Sequence, residues 1–437
     1  MRWLLAALLS IWCIGAQAGE VGPRRALLSS AHPSWILPSI ATTQGAADLY
    51  FQTQQYWVNG QGYVPYTSQI SISRTSAETC QWANGHLTYA PNNTPCITDL
   101  GLAVWEGRTN LEPSSGDLTN ATYWQMINAT AVSSSVLAPD NIGTLQLVTA
   151  TLSGGNRVAT TGIGLAVVNG STYTVSYYVK AGSSQYAGMA VTNTTVAGAI
   201  YNLTGAGNVV STTGANAVSA AISPCINGIY RISLTVTAAS TSLGMAVGVS
   251  DGSTYSGAGV LPSASSGTIY ASFAQFELGA FPTPYIPTTA STAARASDNL
   301  TTVAGSALDT ALRATPGSVF VQTNGMQSSS AFNTFIFFSG FWKFRVGSDV
   351  NHVDFNNNSI DFNSLVGNGN SYVNRVKSSI IYNGTTTKII ASGGSTSSGS
   401  ENRSTASGTI GIGNILNGYL ERIAVAPNLY QLFPTSP

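Results

Sequence analysis

The side chains able to do chemistry fall into three groups. The first is a pair of carboxylates, Glu106 and Glu277. A glycosidase needs two carboxyl groups facing each other at roughly 5 to 10 Å, one with a raised pKa. Arg108 follows Glu106 and Arg295 follows Glu277 in the same stretches, so structural ion pairing competes with catalysis for both glutamates. The second group is aromatic: Tyr56, Trp57, Trp105, Trp124 and Trp342. Sugar rings stack their C–H faces on such side chains, while amides such as Asn110 and Gln275 bind the hydroxyls. The competing role for each tryptophan is to fill a β-sandwich core. The third group is the run of oxygen donors Asp354, Asn356, Asn358 and Asp361, whose short spacing suits a hard cation such as Ca²⁺. The glycine and terminal glutamate of an EF-hand loop are absent, and an Asn-rich turn is the competing role. Beyond that structural Ca²⁺ the sequence predicts no cofactor, and it assigns no catalytic residue.

Other chemistries lack their residues. His32, His86 and His352 are scattered, and no Gly-x-Ser-x-Gly elbow supports a Ser-His-Asp hydrolase. The glycines sit in turns, and none forms a phosphate loop opening a helix. Of the cysteines, Cys13 lies in an N-terminal apolar run, and no Cys/His spacing matches a zinc site. Cys80 and Cys96 flank a Gly/Asn/Pro-rich loop and are predicted to pair in an oxidising compartment, leaving Cys225 as a buried small hydrophobe.

Charged residues are 8% of the 437 and the formal net charge is zero, which excludes the basic face that nucleic acid requires. The aromatic content of 9% excludes ordinary disorder. Arg2, the apolar run Trp3 to Gly15 and the small-x-small pattern Ala16, Gln17, Ala18 read as a secretory signal cleaved before Gly19. After its removal no stretch is long and apolar enough to be a transmembrane helix.

These groups need elements to hold them, and the chain offers strands. Tyr173, Val175, Tyr177 and Val179 alternate with polar residues; so do Tyr230, Ile232, Leu234 and Val236, with Arg231, Ser233, Thr235 and Thr237 predicted to face outward. Turns at Asn169, Asn227 and Asp251, each followed by glycine, punctuate the run and indicate antiparallel sheets packed as a sandwich. Ala274, Phe276 and Leu278 read as a closing strand, and Pro282, Pro284 and Pro287 mark an extended exit arm. Val303 to Leu312 is the one segment predicted as a short helix. A hairpin is predicted around Asn383 and Gly384.

Arg108, Thr109 and Asn110, with Gln275, Glu277 and Gly279, then Tyr285 to Thr289, Arg295 and Asp298, make a pattern that resembles a family of jelly-roll domains. That family occurs in bacteriophage tail and appendage proteins and in carbohydrate-binding bacterial surface proteins. Trp105 stands where many relatives carry an acidic residue. The end of the chain, Gly408 to Asn414 and Asn417 to Val425, resembles the final strands of concanavalin-like (laminin-G-like) lectin sandwiches. Together these imply an all-β protein of two antiparallel sandwiches. The implied division is a signal at 1–18, a linker at 19–46, a jelly roll at 47–300, a linker or short helix at 301–312, and a lectin sandwich at 313–437.

The leading functional expectation is non-catalytic glycan binding for adhesion, on a phage appendage or bacterial surface, secreted or virion-borne. The expected partner is a cell-surface or extracellular glycan, with a homo-oligomer as a further expectation. The alternatives are a structural module for fibre or particle assembly and a glycan hydrolase.

Overall fold

The computed structural model describes residues 43–427, except 153–154, 163, 194–196, 253–254, 257–260, 263, 315–316, 326, 328–331, 339–341, 348–351, 357–360, 366–375, 383–385, 392–396, 401–409 and 413–416. The stretch predicted as a signal, most of the predicted first linker and His32 lie outside the described residues. The described chain is almost all strand, as the alternation implies, with one α-helix at Ala307–Arg313. Ser306 caps that helix by accepting from the Asp309 N–H at 3.1 Å.

The strands form two sandwiches. In the first, one sheet runs in the order 62–63, 55–58, 47–50, 418–427, 317–324, 376–382, 386–391, 397–400, with 101–104 also joined to 418–427. The facing sheet runs 361–365, 352–356, 342–347, 332–338, 410–412, 299–302, 70–73. Leu49, Phe51, Leu102, Leu300, Val319 and Ile423 meet between them. In the second sandwich one sheet runs 124–127, 157–160, 242–250, 186–193, 197–202, 208–213. Its partner runs 129–132, 146–150, 268–278, 172–181, 229–237, 217–224. Tyr177, Met189, Ile232, Val247 and Phe276 fill that core.

The order of these strands departs from the division read in the sequence. Leu49 pairs with Ile423 and Asp48 with Ala424, so the 47–50 strand belongs with the C-terminal strands. Ile72 pairs with Leu300 in the facing sheet. Residues 47–104 and 299–427 together build the first sandwich, and the second is inserted between Gly101–Val104 and Asn299–Thr302. Period-2 alternation fixes which side of a strand is apolar but not which distant strand will pair with it. That is why the opening strands appear continuous with the jelly roll in sequence.

A second difference lies on the outer face of the 172–181 and 229–237 strands. Arg231, Ser233 and Thr235 are buried there rather than exposed. The exit arm after Leu278 covers them: Arg231 Nη2 donates to the Thr283 carbonyl at 2.7 Å, and Thr174 Oγ1 to the Gly279 carbonyl at 2.8 Å. The proline-rich arm cannot join the sheet as a strand, so it lies across it and its carbonyls take bonds from side chains.

Candidate functional site

The chain crosses between sandwiches twice, at Arg108–Asn110 and Ala293–Arg295, and the two crossings pair as a short antiparallel ribbon. The motif residues gather there. Asn110 is fully buried and satisfies all of its amide: Nδ2 donates to the carbonyls of Ala274 and Ile286, and Oδ1 accepts from the N–H groups of Phe276 and Glu112. Gln275 Oε1 accepts from Ile286 N–H at 2.7 Å. Glu277 accepts from Gln275 Nε2 at 2.5 Å, Thr283 N–H at 2.8 Å and Thr283 Oγ1 at 2.7 Å, which ties the exit arm to its own strand.

A buried ionic group continues from there into the first sandwich. Arg74 Nη1 bonds both Glu78 and Asp298 at 2.7 Å, and the remaining N–H groups of Arg74 donate to the carbonyls of Ser76, Pro91 and Thr94. Asp298 also accepts from Trp105 N–H at 2.8 Å. Glu106 pairs with Arg108, and its carbonyl accepts from Arg295 Nη2 at 2.6 Å. Gly279, at φ +129°, leaves the space that the Arg108 guanidinium occupies; any β-carbon would strike it. Burial and the Asp298 charge push the Glu78 carboxyl up to about 8, despite Arg74. Arg74, Arg108 and Arg295 thus stand among four carboxyl groups, those of Glu78, Glu106, Glu277 and Asp298.

Beside the ribbon lies an open cleft of about 610 Å³. Leu111, Val167, Val168, Tyr173 and Leu278 give it apolar walls, and Arg108 and Arg295 also line it. Val168 and Leu278 stand exposed at its rim. Arg108 Nη1 and Arg295 Nε and Nη1 are buried donors without an acceptor. Burial lowers the Arg295 pKa, while Glu78, Asp298 and Glu277 raise it.

The sequence-predicted binding residues fare unevenly. Trp105 is buried edge-on to Tyr419, with ring centroids 5.8 Å apart, under the Arg295 guanidinium. Trp124 is buried in the second core and donates from Nε1 to the Ser114 carbonyl at 3.1 Å. Asn110 and Gln275 are spent on backbone groups, as described above. These four therefore hold the fold together and present nothing to a ligand, because the strand positions that carry them face the packed interior. Tyr56 is buried as well. Trp57 alone is half-buried, edge-on to the exposed Tyr63 at 5.3 Å.

Cys80 and Cys96 are joined by a disulfide with Cα atoms 5.4 Å apart, so the Glu78, Cys80 and Cys96 cluster offers no thiolate to a metal. Cys225 is free, and burial pushes its thiol up to about 11. In the cation candidate, Asn356 pairs with Asp361 across two antiparallel strands and Asp354 shares a strand with Asn356. Asn358 lies outside the described residues, as do the side chains of the other three and of Trp342.

Val168 and Arg74 are passed over in the sequence reading, and Leu278, read there on the apolar face of the closing strand, is exposed. Val168 leaves a signal only as an apolar residue beside the Asn169 turn. Among the described residues no helix is long and apolar enough to cross a membrane.

No family model matches the chain, and no curated protein matches it. Among solved structures, the mouse laminin alpha1 chain, domains LG4-5, aligns at 10% identity over 65% of this chain and 92% of that one, with a TM-score of 0.19. The all-β sandwich assignment rests on the strand pairing itself.

Proposed function

We propose that this is a non-catalytic glycan-binding protein for adhesion outside the cell, on a bacterial surface or a phage appendage, and that it binds through the cleft beside the crossing ribbon. The observation that supports the reading is the open cleft with apolar walls beside the paired crossing strands. Apolar walls accept the C–H face of a sugar ring. A net positive floor would instead select anions; here the three arginines stand among four carboxyl groups. The disulfide fits an oxidising compartment. The bonding of Glu277 to two donors of Thr283 on the exit arm and one of Gln275 on its own strand, and of Glu106 to Arg108, supports a structural use of both carboxylates over a catalytic one.

The test is a glycan array probed with a multivalent display of the protein, since affinity at a single neutral site is weak and avidity supplies the signal. Neutral glycans are the expected hits, lost on Val168→Glu. An array on which the protein is silent, or hits that persist in the variant, contradicts the proposal. Turnover of a bound glycan that Glu277→Gln or Glu106→Gln abolishes would move the assignment to the hydrolase.

A further inference from the structure

The turn that carries Val168 is tied to the second sandwich by backbone bonds. Leu165 and Ala166 pair with Leu243 and Ser242. Val167 N–H donates to the Thr241 carbonyl at 3.0 Å, and Gly170 N–H to the Ala238 carbonyl at 2.8 Å. Ser171 N–H closes the turn on the Val168 carbonyl at 3.1 Å, and Ala238 N–H returns to the Ser171 carbonyl at 2.9 Å. Gly170, at φ +82°, makes the bend. Val167 is buried in the second core, while Val168 is 64% exposed at the cleft.

The Val168 N–H takes a different kind of partner. It donates to the Tyr173 hydroxyl at 2.9 Å. Tyr173 is the first buried residue of the 172–181 strand and stands opposite Leu278 in the register. Its ring lies against Phe276, with centroids 5.4 Å apart, and this packing fixes where the hydroxyl stands. Tyr173 also lines the cleft, as do Val168 and Leu278. One side chain therefore joins two apolar walls of the cleft: Leu278 is its neighbour across the sheet, and Val168 hangs on its hydroxyl.

We propose that Tyr173 is a positioning residue for the cleft, its hydroxyl holding the Val168 backbone so that this wall stands formed before a ligand arrives. The proposal rests on the cleft reading, from which it takes the contact between Val168 and a neutral glycan. A wall already in place loses no freedom on binding, which matters most where single-site affinity is weak. Removing the hydroxyl takes away the acceptor of the Val168 N–H and leaves the other bonds of the turn, which are backbone to backbone.

Amide exchange and glycan titration of the full chain, wild type against Tyr173→Phe, test it together. In the variant the Val168 amide is expected to exchange about tenfold faster, the loss of one hydrogen bond. The Val167 and Gly170 amides should keep their rates, since their acceptors are backbone carbonyls. Affinity for the strongest neutral glycan of the array is expected to fall about tenfold. Tyr230→Phe is the control: it removes a hydroxyl that donates to the Gly205 carbonyl at 2.8 Å in the same sandwich, and it should leave both readouts as in the wild type. Val168 exchange that ignores Tyr173→Phe, a rise shared by Val167 and Gly170, glycan affinity kept despite faster Val168 exchange, or an equal loss in Tyr230→Phe would overturn the proposal. A wild-type chain that binds no glycan removes the cleft reading instead, and the Val168 exchange then decides alone whether Tyr173 holds the turn.

Discussion

Arg74 shows what a single side chain does at the junction. All of its donors are used, and it is the direct ionic partner of Asp298, which in turn holds Trp105. Removing one partner of a buried pair leaves an uncompensated charge and costs roughly 3 to 5 kcal/mol. Arg74→Met is therefore expected to lower stability by about that amount in denaturant titration; a change below about 1 kcal/mol would show that the pair is solvated. Glu78 and Glu112 give the junction and the second core a pH dependence. Burial raises both carboxyls from an ordinary 4.5 to about 8, with Asp298 adding to the shift at Glu78. A folded pKa above the unfolded one means that the folded chain holds the proton more tightly. That stability is complete below 4.5 and is lost as pH rises through 8. The denaturation midpoint should fall between about pH 5 and pH 9, and Glu78→Gln with Glu112→Gln should flatten the decline. A midpoint that rises over this range contradicts the assignment. Trp124 follows core arithmetic instead. Truncation to Ala is expected to cost roughly 3 to 5 kcal/mol of stability, with the cleft's affinity kept in whatever fraction remains folded.

Two elements carry the link between the sandwiches: the exit arm and the hairpin of strands Glu78–Gln81 and Leu87–Ala90. The hairpin belongs in sequence to the first sandwich, yet Leu87 packs with Tyr178, Phe273 and Tyr285 of the second. Its Thr79 hydroxyl donates to the Tyr285 carbonyl at 2.6 Å. The disulfide closes a loop with a sequence separation of 16, worth about 3 kcal/mol in the chain-entropy account. Cys80→Ser with Cys96→Ser should lower the melting midpoint and open the hairpin to limited proteolysis; equal cleavage rates would show that the bridge does not hold it. The cysteine pair was legible from its short loop, and the inward faces at Tyr173 to Val179 from their alternation. The burial of Arg231, Ser233 and Thr235 was not, because a polar residue beneath a covering arm has the same pattern as one in water. The aromatics misled for the related reason that sequence gives residue type but not which face is packed. Trp105 and Trp124 sit inward while Val168 and Leu278, unremarkable by type, stand at the cleft.

At the scale of the molecule the chain is one sandwich interrupted by another, and the crossing ribbon, ionic group and apolar junction are shared between them. All-β character follows directly from composition and period. The insertion does not, since it depends on pairings such as Leu49 with Ile423, between residues at opposite ends of the described chain. A shared buried junction couples the halves, so calorimetry is expected to give one unfolding transition; two well-separated transitions would show that they fold independently. The crossing ribbon also lines the cleft, which makes the binding of a neutral ligand there the central claim. Calorimetric titration of the strongest neutral glycan at low and high salt tests it most directly. The account predicts weak single-site affinity that is nearly unchanged by salt and lost in Val168→Glu. Affinity that falls steeply with salt, or that survives Val168→Glu intact, would contradict it.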